Sequence, residues 1–265
     1  MTLSESAGAT VRLSYDEFGS GPAVVLLHGL CGSRAYWKPV VEPLSKRFRV
    51  VVPDLRGHGL SPAPEGKYTM ESMAADVIRL LDDLNIDRAV LFGHSLGGYV
   101  TLAAAETCPA RLAGWGLVHS TAYPDDEQAK LNRAKAIATI RAEGVKPFVD
   151  ELVPKLFAPG RTETMPDIVE NVRTIGYGTP AQGAIGVLEG MRERPDRLHV
   201  LKRAEVPVAL IAGARDQIVP VWKTHAVETP NIQPYTLPEA GHMGMFESPD
   251  EMVGILEAHA GRCML

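Results

Sequence analysis

One pentapeptide, Gly-His-Ser-Leu-Gly at positions 93–97, limits the possible folds of this chain more than any other stretch. The apolar run 89–92 before it has the length and residue types of a buried strand, and the residues after it are typical of a helix. The chain must therefore turn sharply at Ser95. We expect glycine on both sides of this serine, because the turn brings backbone against backbone and leaves no room for a Cβ atom.

Such a turn has chemical consequences for Ser95. It holds the hydroxyl out at the C-terminal edge of a sheet, and it points the Leu96 N–H, at the start of a helix, toward any negative charge that forms there. Small residues around a serine also occur in ordinary turns, but a position between strand and helix favours a catalytic nucleophile. A serine hydroxyl alone is a poor nucleophile, so this interpretation requires a histidine and an acid elsewhere in the chain.

Segments with strand and helix character alternate on both sides of the pentapeptide. The runs with strand character are 11–18, 23–27, 49–53, 89–92, 112–118, 206–212 and 233–237. This alternation predicts an α/β fold with a mostly parallel central sheet and helices on both faces. From 123 to 204 the sequence has helical patterns and no good strand. We therefore predict an α/β core formed by 1–122 and 205–265, with 123–204 inserted as a helical lid.

Length and charge argue against several other classes of protein. A chain of 265 residues can be one large α/β domain with an insertion. Its formal net charge of −5, without a cluster of Lys and Arg, argues against nucleic acid as a partner. Residues 1–10 lack the features of a usual secretory signal, and no apolar stretch approaches the roughly 20 residues needed for a membrane span. Cys31, Cys108 and Cys263 are widely spaced and odd in number, which predicts a cytoplasmic protein.

The ends of the predicted strands supply the other candidate catalytic residues. In an open parallel sheet, ligands bind outside the C-terminal ends of the strands. Asp216 and His242 each follow one of the last two predicted strands, and Leu30 lies in the loop after the strand 23–27. The order of Ser95, Asp216 and His242 along the chain is one of the known orders for an acyl-transfer triad.

Taken together, these segments resemble the α/β-hydrolase superfamily, in the branch of small lidded esterases, enol-lactonases and cofactor-free haloperoxidase-like proteins. The matching motifs span nearly the whole chain outside 123–204. They are His-Gly at 28–29, Asp-Leu-Arg-Gly-His-Gly-Leu-Ser at 54–61, Gly-His-Ser-Leu-Gly-Gly at 93–98, Gly-Ala-Arg-Asp-Gln-Ile-Val-Pro at 213–220 and Gly-His at 241–242. Dehalogenases and epoxide hydrolases of the superfamily have an aspartate where Ser95 stands, so this chain departs from them.

The resemblance implies a role for each candidate residue. Ser95 is expected to be the nucleophile, His242 its base and Asp216 the acid that orients His242. The backbone N–H groups of Leu30 and Leu96 are expected to form an oxyanion hole.

A second position for the acid stays open. Some members of the superfamily place it after the preceding strand, which here makes Asp125 or Asp126 the rival. We favour Asp216 because it occupies the position that the family motif specifies. We expect Asp125 and Asp126 to form a solvated helix start.

The sequence thus predicts a serine hydrolase that cleaves a small, largely apolar carboxylic ester, lactone or thioester through an acyl-enzyme. No cofactor is expected for this chemistry, and no metal site, because no histidine pair or carboxylate cluster has ligand spacing. Perhydrolysis or halogenation through a peracid and hydrolysis of a carbon–carbon bond could use the same residues. A ligand receptor that signals through its lid is a further alternative, since the fold alone does not separate these functions.

Other residues near the predicted site have structural alternatives. We expect His28 to be a structural hydrogen-bonding residue and Cys31 a small buried filler, while His119 could line the pocket or simply pack. The lid residues that could face the pocket are Phe148, Leu152, Leu156, Phe157, Ile185, Leu188 and Met191. If a short linker replaces 123–204, we expect the geometry of the triad to remain possible and one wall of the pocket to be exposed to water, with a broader substrate preference and a lower rate.

Overall fold

The computed structural model describes residues 10–264, so the expectation about a secretory signal lies almost entirely outside the described residues. Within them, seven strands form one sheet in the order β1-β3-β2-β4-β5-β6-β7. The strands are β1 Tyr15–Phe18, β2 Ala23–Leu27, β3 Arg49–Pro53, β4 Ala89–His94, β5 Leu112–Val118, β6 Val208–Gly213 and β7 Ile232–Leu237. Strand β1 pairs antiparallel with β3, and the other neighbours pair in parallel. The predicted α/β class with a mostly parallel sheet is confirmed.

Helices cover both faces of this sheet. Those in the described residues are α1 Lys38–Ser45, α2 Met70–Asp83, α3 Leu96–Thr107, α4 Glu127–Glu143, α5 Val145–Leu156, α6 Arg161–Thr164, α7 Pro166–Tyr177, α8 Ala181–Arg192, α9 Leu198–Lys202, α10 Val221–Thr224, α11 Gly244–Glu247 and α12 Pro249–Cys263. In β2, Val25 and Leu27 belong to the core that includes α2 and α3, whereas Val24 and Leu26 belong to the core that includes α1 and α12. Alternate side chains of a strand point to opposite faces, so β2 is apolar throughout because both faces are covered.

The first strand is shorter than the predicted 11–18. Its partner β3 ends at Pro53, which is paired with Tyr15. One further backbone hydrogen bond, from the Asp54 N–H to the Ser14 carbonyl oxygen at 2.8 Å, follows this pair, and residues 10–14 pair with no strand. The Val11 and Ser14 N–H groups instead donate to the side chains of Asp76 and Ser61, both at 2.8 Å. The predicted strand was too long because the alternation of apolar and polar residues begins at position 11, whereas pairing with β3 begins only at Tyr15.

The strand order determines where loops meet. The chain passes from β2 to β3 on one side, and then returns so that β4 lies on the other side of β2. The loops that follow β2 and β4 therefore diverge at the C-terminal edge, which is where open α/β sheets bind ligands.

Between β5 and β6 the described chain is helical, from α4 to α9. We call residues 123–204 the helical segment. Among the described residues, no helix has the length and apolar character needed to cross a membrane.

Candidate functional site

Ser95 sits at the sharp turn that the pentapeptide predicts. Strand β4 ends at His94, helix α3 begins at Leu96, and Ser95 between them has φ 50° and ψ −110°. A Cβ atom on Gly93 would lie 2.1 Å from the Gly97 carbonyl oxygen. The expectation of glycine at this turn is confirmed, because a larger residue at position 93 would collide with backbone. The left-handed φ of a non-glycine residue is a strained conformation of the kind that clusters at active sites.

His242 and Asp216 form a buried pair. His242 Nδ1 lies 2.8 Å from Asp216 Oδ2, and both side chains are fully buried. The other carboxylate oxygen, Oδ1, accepts hydrogen bonds from the N–H groups of Ile218 and Val219, at 2.7 and 3.0 Å. Burial alone would raise the pKa of Asp216, but the charge of a protonated His242 and the hydrogen bonds to the carboxylate outweigh it, so this pKa is lowered. Asp216 is therefore an anion. When His242 is neutral, this anion favours the tautomer that has its proton on Nδ1 and leaves Nε2 as an acceptor.

The loop of His242 is joined to the Ser95 turn through His94. The rings of His94 and His242 lie 4.9 Å apart, and His94 Nε2 donates a 2.8 Å hydrogen bond to the His242 carbonyl oxygen. Within residues 10–264, no hydrogen bond connects the Ser95 side chain to His242. Contacts of this kind are often long until a substrate binds, so the placement of the two loops is the more informative observation.

The loop after β2 packs against the turn at Ser95. A Cβ atom on Gly29 would lie 2.7 Å from His94 Nδ1 and 3.4 Å from the Ser95 Cβ. The next residue in this loop is Leu30. Within the described residues, the N–H groups of Leu30 and Leu96 donate to no other protein group. Both are thus available to hold an anionic oxygen.

His28 has the structural role that we expected. Its Nε2 accepts a 2.9 Å hydrogen bond from the Leu55 N–H, and its Nδ1 donates to the Gly29 carbonyl oxygen at 2.8 Å. Burial lowers the pKa of His28 to about 4, so the ring is neutral near pH 7. Burial also raises the pKa of the Cys31 thiol to about 12, which is consistent with a buried filler and an unreactive thiol.

The two rival acids have other partners. Asp125 accepts hydrogen bonds from Arg133 Nε and from Arg194 Nη1, both at 2.6 Å. Asp126 is exposed and accepts a 2.8 Å hydrogen bond from the Ala129 N–H at the start of α4. The expectation of a solvated helix start is correct for Asp126 and wrong for Asp125, which is buried because two guanidinium groups enclose it.

The end of helix α5 forms hydrogen bonds with the loops that carry Asp216 and His242. The sequence did not predict these bonds. The His242 N–H donates to the Leu156 carbonyl oxygen at 2.8 Å, and Gln217 Nε2 donates to the Phe157 carbonyl oxygen at 2.8 Å. Glu247 Oε2 accepts from the N–H groups of Ala158 and Gly241, at 3.1 and 2.7 Å. The helical segment therefore also contacts the loops that carry Asp216 and His242.

The sequence did contain a signal for Glu247. It directly follows the run Met-Gly-Met-Phe at 243–246, and a carboxylate that is buried beside such a run needs hydrogen-bond donors. No local pattern indicates which N–H groups it would accept from.

A cavity of about 460 Å³ lies next to these loops. It is bordered by Leu30, by Tyr99 in the first turn of α3 and by the residues that follow Asp216, whereas Ser95, Asp216 and His242 are not among its lining residues. Of the predicted lid residues, Phe148, Leu152 and Leu188 line it. Charged side chains also line it, namely Asp125, Asp126, Arg133, Lys135, Glu151, Lys155, Arg194 and Lys223.

His119 neither lines this cavity nor packs only against apolar groups. It is fully buried, and its Nδ1 lies 3.6 Å from Asp216 Oδ2. Its ring lies 5.9 Å from the ring of His242. Our two sequence-based alternatives for His119 were therefore both incomplete, because they did not anticipate a polar partner.

Comparisons with known proteins agree with this architecture. The family model described as alpha/beta hydrolase fold matches residues 22–249. The chain is 30% identical to 3-oxoadipate enol-lactonase 2 of Acinetobacter baylyi over 253 residues, covering 94% of this chain and 92% of that protein. A thermophilic esterase from Thermogutta terrifontis, solved with malate bound, superposes with a TM-score of 0.92 at 33% identity, covering 96% of this chain and 95% of that one. An enol-lactonase from Burkholderia xenovorans superposes with a TM-score of 0.88 at 27% identity, covering 94% and 96% of the two chains.

The chain therefore belongs to the α/β hydrolase family, and it is an enzyme of the α/β-hydrolase type. The resemblance inferred from the sequence motifs is confirmed. Within the described residues, no group of three or more His, Cys, Asp or Glu side chains is arranged to hold a metal ion.

Proposed function

We propose that this enzyme is a serine hydrolase that cleaves small carboxylic esters or lactones through an acyl-enzyme. The observation that carries the proposal is the buried 2.8 Å pair of His242 and Asp216 on loops that adjoin the strained Ser95 turn. A histidine held in this tautomer can accept a proton from a serine hydroxyl and stabilise the charge that follows.

In the proposed reaction, Ser95 Oγ attacks the substrate carbonyl carbon while His242 Nε2 takes its proton. The carbonyl oxygen becomes an oxyanion, and the Leu30 and Leu96 N–H groups donate hydrogen bonds to it. The proton on Nε2 then goes to the leaving alcohol as the acyl-enzyme forms. Water, deprotonated by His242, attacks the acyl-enzyme and releases the acid with Ser95 restored.

We propose residues 123–204 as the lid and the rest of the chain as the core. The lid supplies one wall of the cavity through Phe148, Leu152 and Leu188. The cysteines Cys31, Cys108 and Cys263 are all unpaired, which supports a reducing compartment, the cytoplasm.

The cavity wall refines the substrate class. The sequence favoured a largely apolar substrate, but cationic side chains outnumber anionic ones among the charged residues of the wall. One relative is a 3-oxoadipate enol-lactonase and another was solved with malate bound, and both 3-oxoadipate and malate are dicarboxylates. We therefore propose that the preferred ester or lactone carries a carboxylate away from the cleaved bond.

The test combines active-site labelling with a substrate screen. A fluorophosphonate probe is expected to label Ser95, and Ser95→Ala is expected to keep the fold and lose both labelling and ester turnover. The screen pairs the monoethyl ester of a dicarboxylic acid with the ethyl ester of a monocarboxylic acid of equal length, alongside lactones and thioesters. We expect a higher kcat/KM for the charged ester.

The outcomes separate the alternatives. Near wild-type turnover by Ser95→Ala would reject the serine mechanism. A single slow burst in place of repeated turnover would favour a receptor. Cleavage only with added peroxide, or only of a carbon–carbon bond, would favour the other chemistries that we derived from the sequence. Equal kcat/KM values for the paired esters would reject the carboxylate preference alone.

A further inference from the structure

His119 follows strand β5 directly, next to the strand that leads to Asp216. Its N–H donates to the Ile211 carbonyl oxygen at 2.7 Å, which ties this residue to β6. Its φ is 48°, in the left-handed region that a residue with a Cβ atom rarely adopts. The backbone at position 119 is therefore held in a conformation that costs energy and that turns the imidazole toward the Asp216 loop.

The proton position on His119 follows from its neighbours. The Gly244 N–H donates to His119 Nε2 at 3.2 Å, so Nε2 is an acceptor. Burial lowers the pKa of His119, which keeps the ring neutral. A neutral imidazole that accepts at Nε2 carries its proton on Nδ1.

Two other buried histidines show the same arrangement with ordinary partners. His28 and His58 each accept a backbone N–H at Nε2, from Leu55 at 2.9 Å and from Cys31 at 3.2 Å. Each then donates from Nδ1 to a backbone carbonyl oxygen, at 2.8 Å for His28 and 3.1 Å for His58. In both cases the backbone donor fixes the tautomer, and the Nδ1 proton has a definite acceptor.

His119 differs in what its Nδ1 proton faces. Within the described residues Nδ1 has no hydrogen-bond partner, and the carboxylate oxygen Asp216 Oδ2 lies 3.6 Å away, with both side chains fully buried. The same oxygen accepts from His242 Nδ1. A buried N–H that has no other acceptor is stabilised most if it donates a hydrogen bond to the nearby anion, which requires only a small shortening of this distance.

We propose that His119 is a positioning residue whose Nδ1–H is a second donor to Asp216 Oδ2, holding that carboxylate in place for His242. This inference rests on the proposed function, in which Asp216 orients the catalytic base. Within the described residues, no hydrogen bond joins His119 to Ser95, and its effect on the reaction is proposed to pass through Asp216.

Two variants separate the two ring nitrogens. An asparagine at 119 can place its amide nitrogen where Nδ1 stands, and asparagine also tolerates the left-handed backbone. A glutamine reaches the position of Nε2 and can accept from the Gly244 N–H, but it leaves Asp216 without the second donor. We expect His119→Asn to keep kcat within about threefold of wild type. We expect His119→Gln to lose kcat by about ten- to a hundredfold with little change in KM, since a hydrogen bond to a charged group is lost.

The reverse ranking would overturn the proposal in favour of a purely structural bond to Gly244. Equal losses of kcat, or no loss in either variant, would overturn it as well. Thermal unfolding of both variants accompanies the kinetics, so that a loss of folded protein is not taken for a loss of turnover.

A second measurement uses the unaltered enzyme. In ¹⁵N NMR of histidine-labelled protein at neutral pH, with triple-resonance assignment, His119 is expected to be protonated at Nδ1 and not at Nε2. A proton on Nε2 would overturn the proposal even if neither variant folds. The tautomer can be read whether or not Ser95 is the nucleophile, so failure of this inference is distinguishable from failure of the proposed function.

Discussion

Two buried carboxylates that follow neighbouring strands have opposite surroundings. Asp216 follows β6 and faces the imidazoles of His242 and His119, at 2.8 and 3.6 Å. Asp125 follows β5 and is paired with the guanidinium groups of Arg133 and Arg194, both at 2.6 Å. For both, burial favours the neutral form, yet the surrounding positive charge and hydrogen bonds lower the pKa.

The difference lies in what the partners can do. An arginine keeps its proton at any working pH, so the Asp125 group is a fixed charge cluster in the cavity wall. An imidazole nitrogen can accept a proton and give it up again, so the Asp216 group can support acid–base chemistry. From their positions in the chain, either carboxylate could be the acid. Their partners favour a catalytic role for Asp216, which we propose, and a structural role for Asp125.

The largest expected effect tests this separation directly. Asp216→Asn keeps the shape of the side chain but can enforce the wrong tautomer of His242. We expect kcat to fall by about three to four orders of magnitude, as for the equivalent change in a serine protease. Steady-state kinetics on the best substrate of the screen measures the loss.

Asp125→Asn is the matched control. We expect its kcat to change by less than about tenfold, because Asp125 does not contact His242. Its stability is expected to fall, by about 3 kcal/mol, since the change leaves two partly or fully buried guanidinium groups without their anion. Urea unfolding measures this. A larger kinetic loss for Asp125→Asn than for Asp216→Asn would transfer the role of the acid to Asp125.

The next largest expected effect is a loss of stability at acid pH, at which Asp216 and Asp125 both remain charged. Burial lowers the pKa of His28 to about 4 and that of His58 to about 3, whereas unfolded histidine titrates near 6.5. Between these values the unfolded chain binds more protons, so stability is full above about pH 6.5 and falls as the pH is lowered toward 4. We expect the free energy of unfolding, measured with urea, to be several kcal/mol lower at pH 4.5 than at pH 7. The same difference between the two pH values is expected for Asp125→Asn. A flat profile would contradict the buried neutral state of these rings.

The smallest expected effect concerns the end of α5. Glu247→Gln keeps an acceptor for the N–H groups of Ala158 and Gly241 but removes its charge, and charge-assisted bonds are the stronger ones. We expect kcat to fall by about tenfold with little change in KM, because His242 directly follows Gly241. Glu239→Gln is the control, since Glu239 pairs with Arg215 at the exposed surface. Equal kcat values in both variants would show that this anchor does not position His242.

The hydrogen bonds at the end of α5 also bear on deletion of the helical segment. Removing 123–204 would take away the Leu156 carbonyl oxygen that accepts from the His242 N–H and the Ala158 N–H that donates to Glu247. A folded deletion chain is therefore expected to lose positioning of His242 as well as a cavity wall. The helical segment contributes to the candidate site from two sides, since α5 ends at the His242 loop while α4 carries Arg133 toward Asp125.

The sequence by itself determined the features that depend on neighbours along the chain. Apolar runs and glycines at 93 and 97 are enough to specify strand β4, the Ser95 turn and helix α3, because the turn brings together residues only a few positions apart. The motifs around Asp216 and His242 likewise placed both residues at strand ends. These predictions needed no knowledge of which strands are neighbours.

Only the tertiary structure decided which distant side chains meet. His119 and Asp216 are 97 positions apart in number, and they approach because β5 and β6 are adjacent in the sheet. Arg194 reaches Asp125 across the helical segment, and Glu247 reaches Ala158 at the end of α5. A pattern along the chain predicts where a side chain leaves its strand or helix. The identity of its partner depends on strand order and helix packing, and these arise from the whole core.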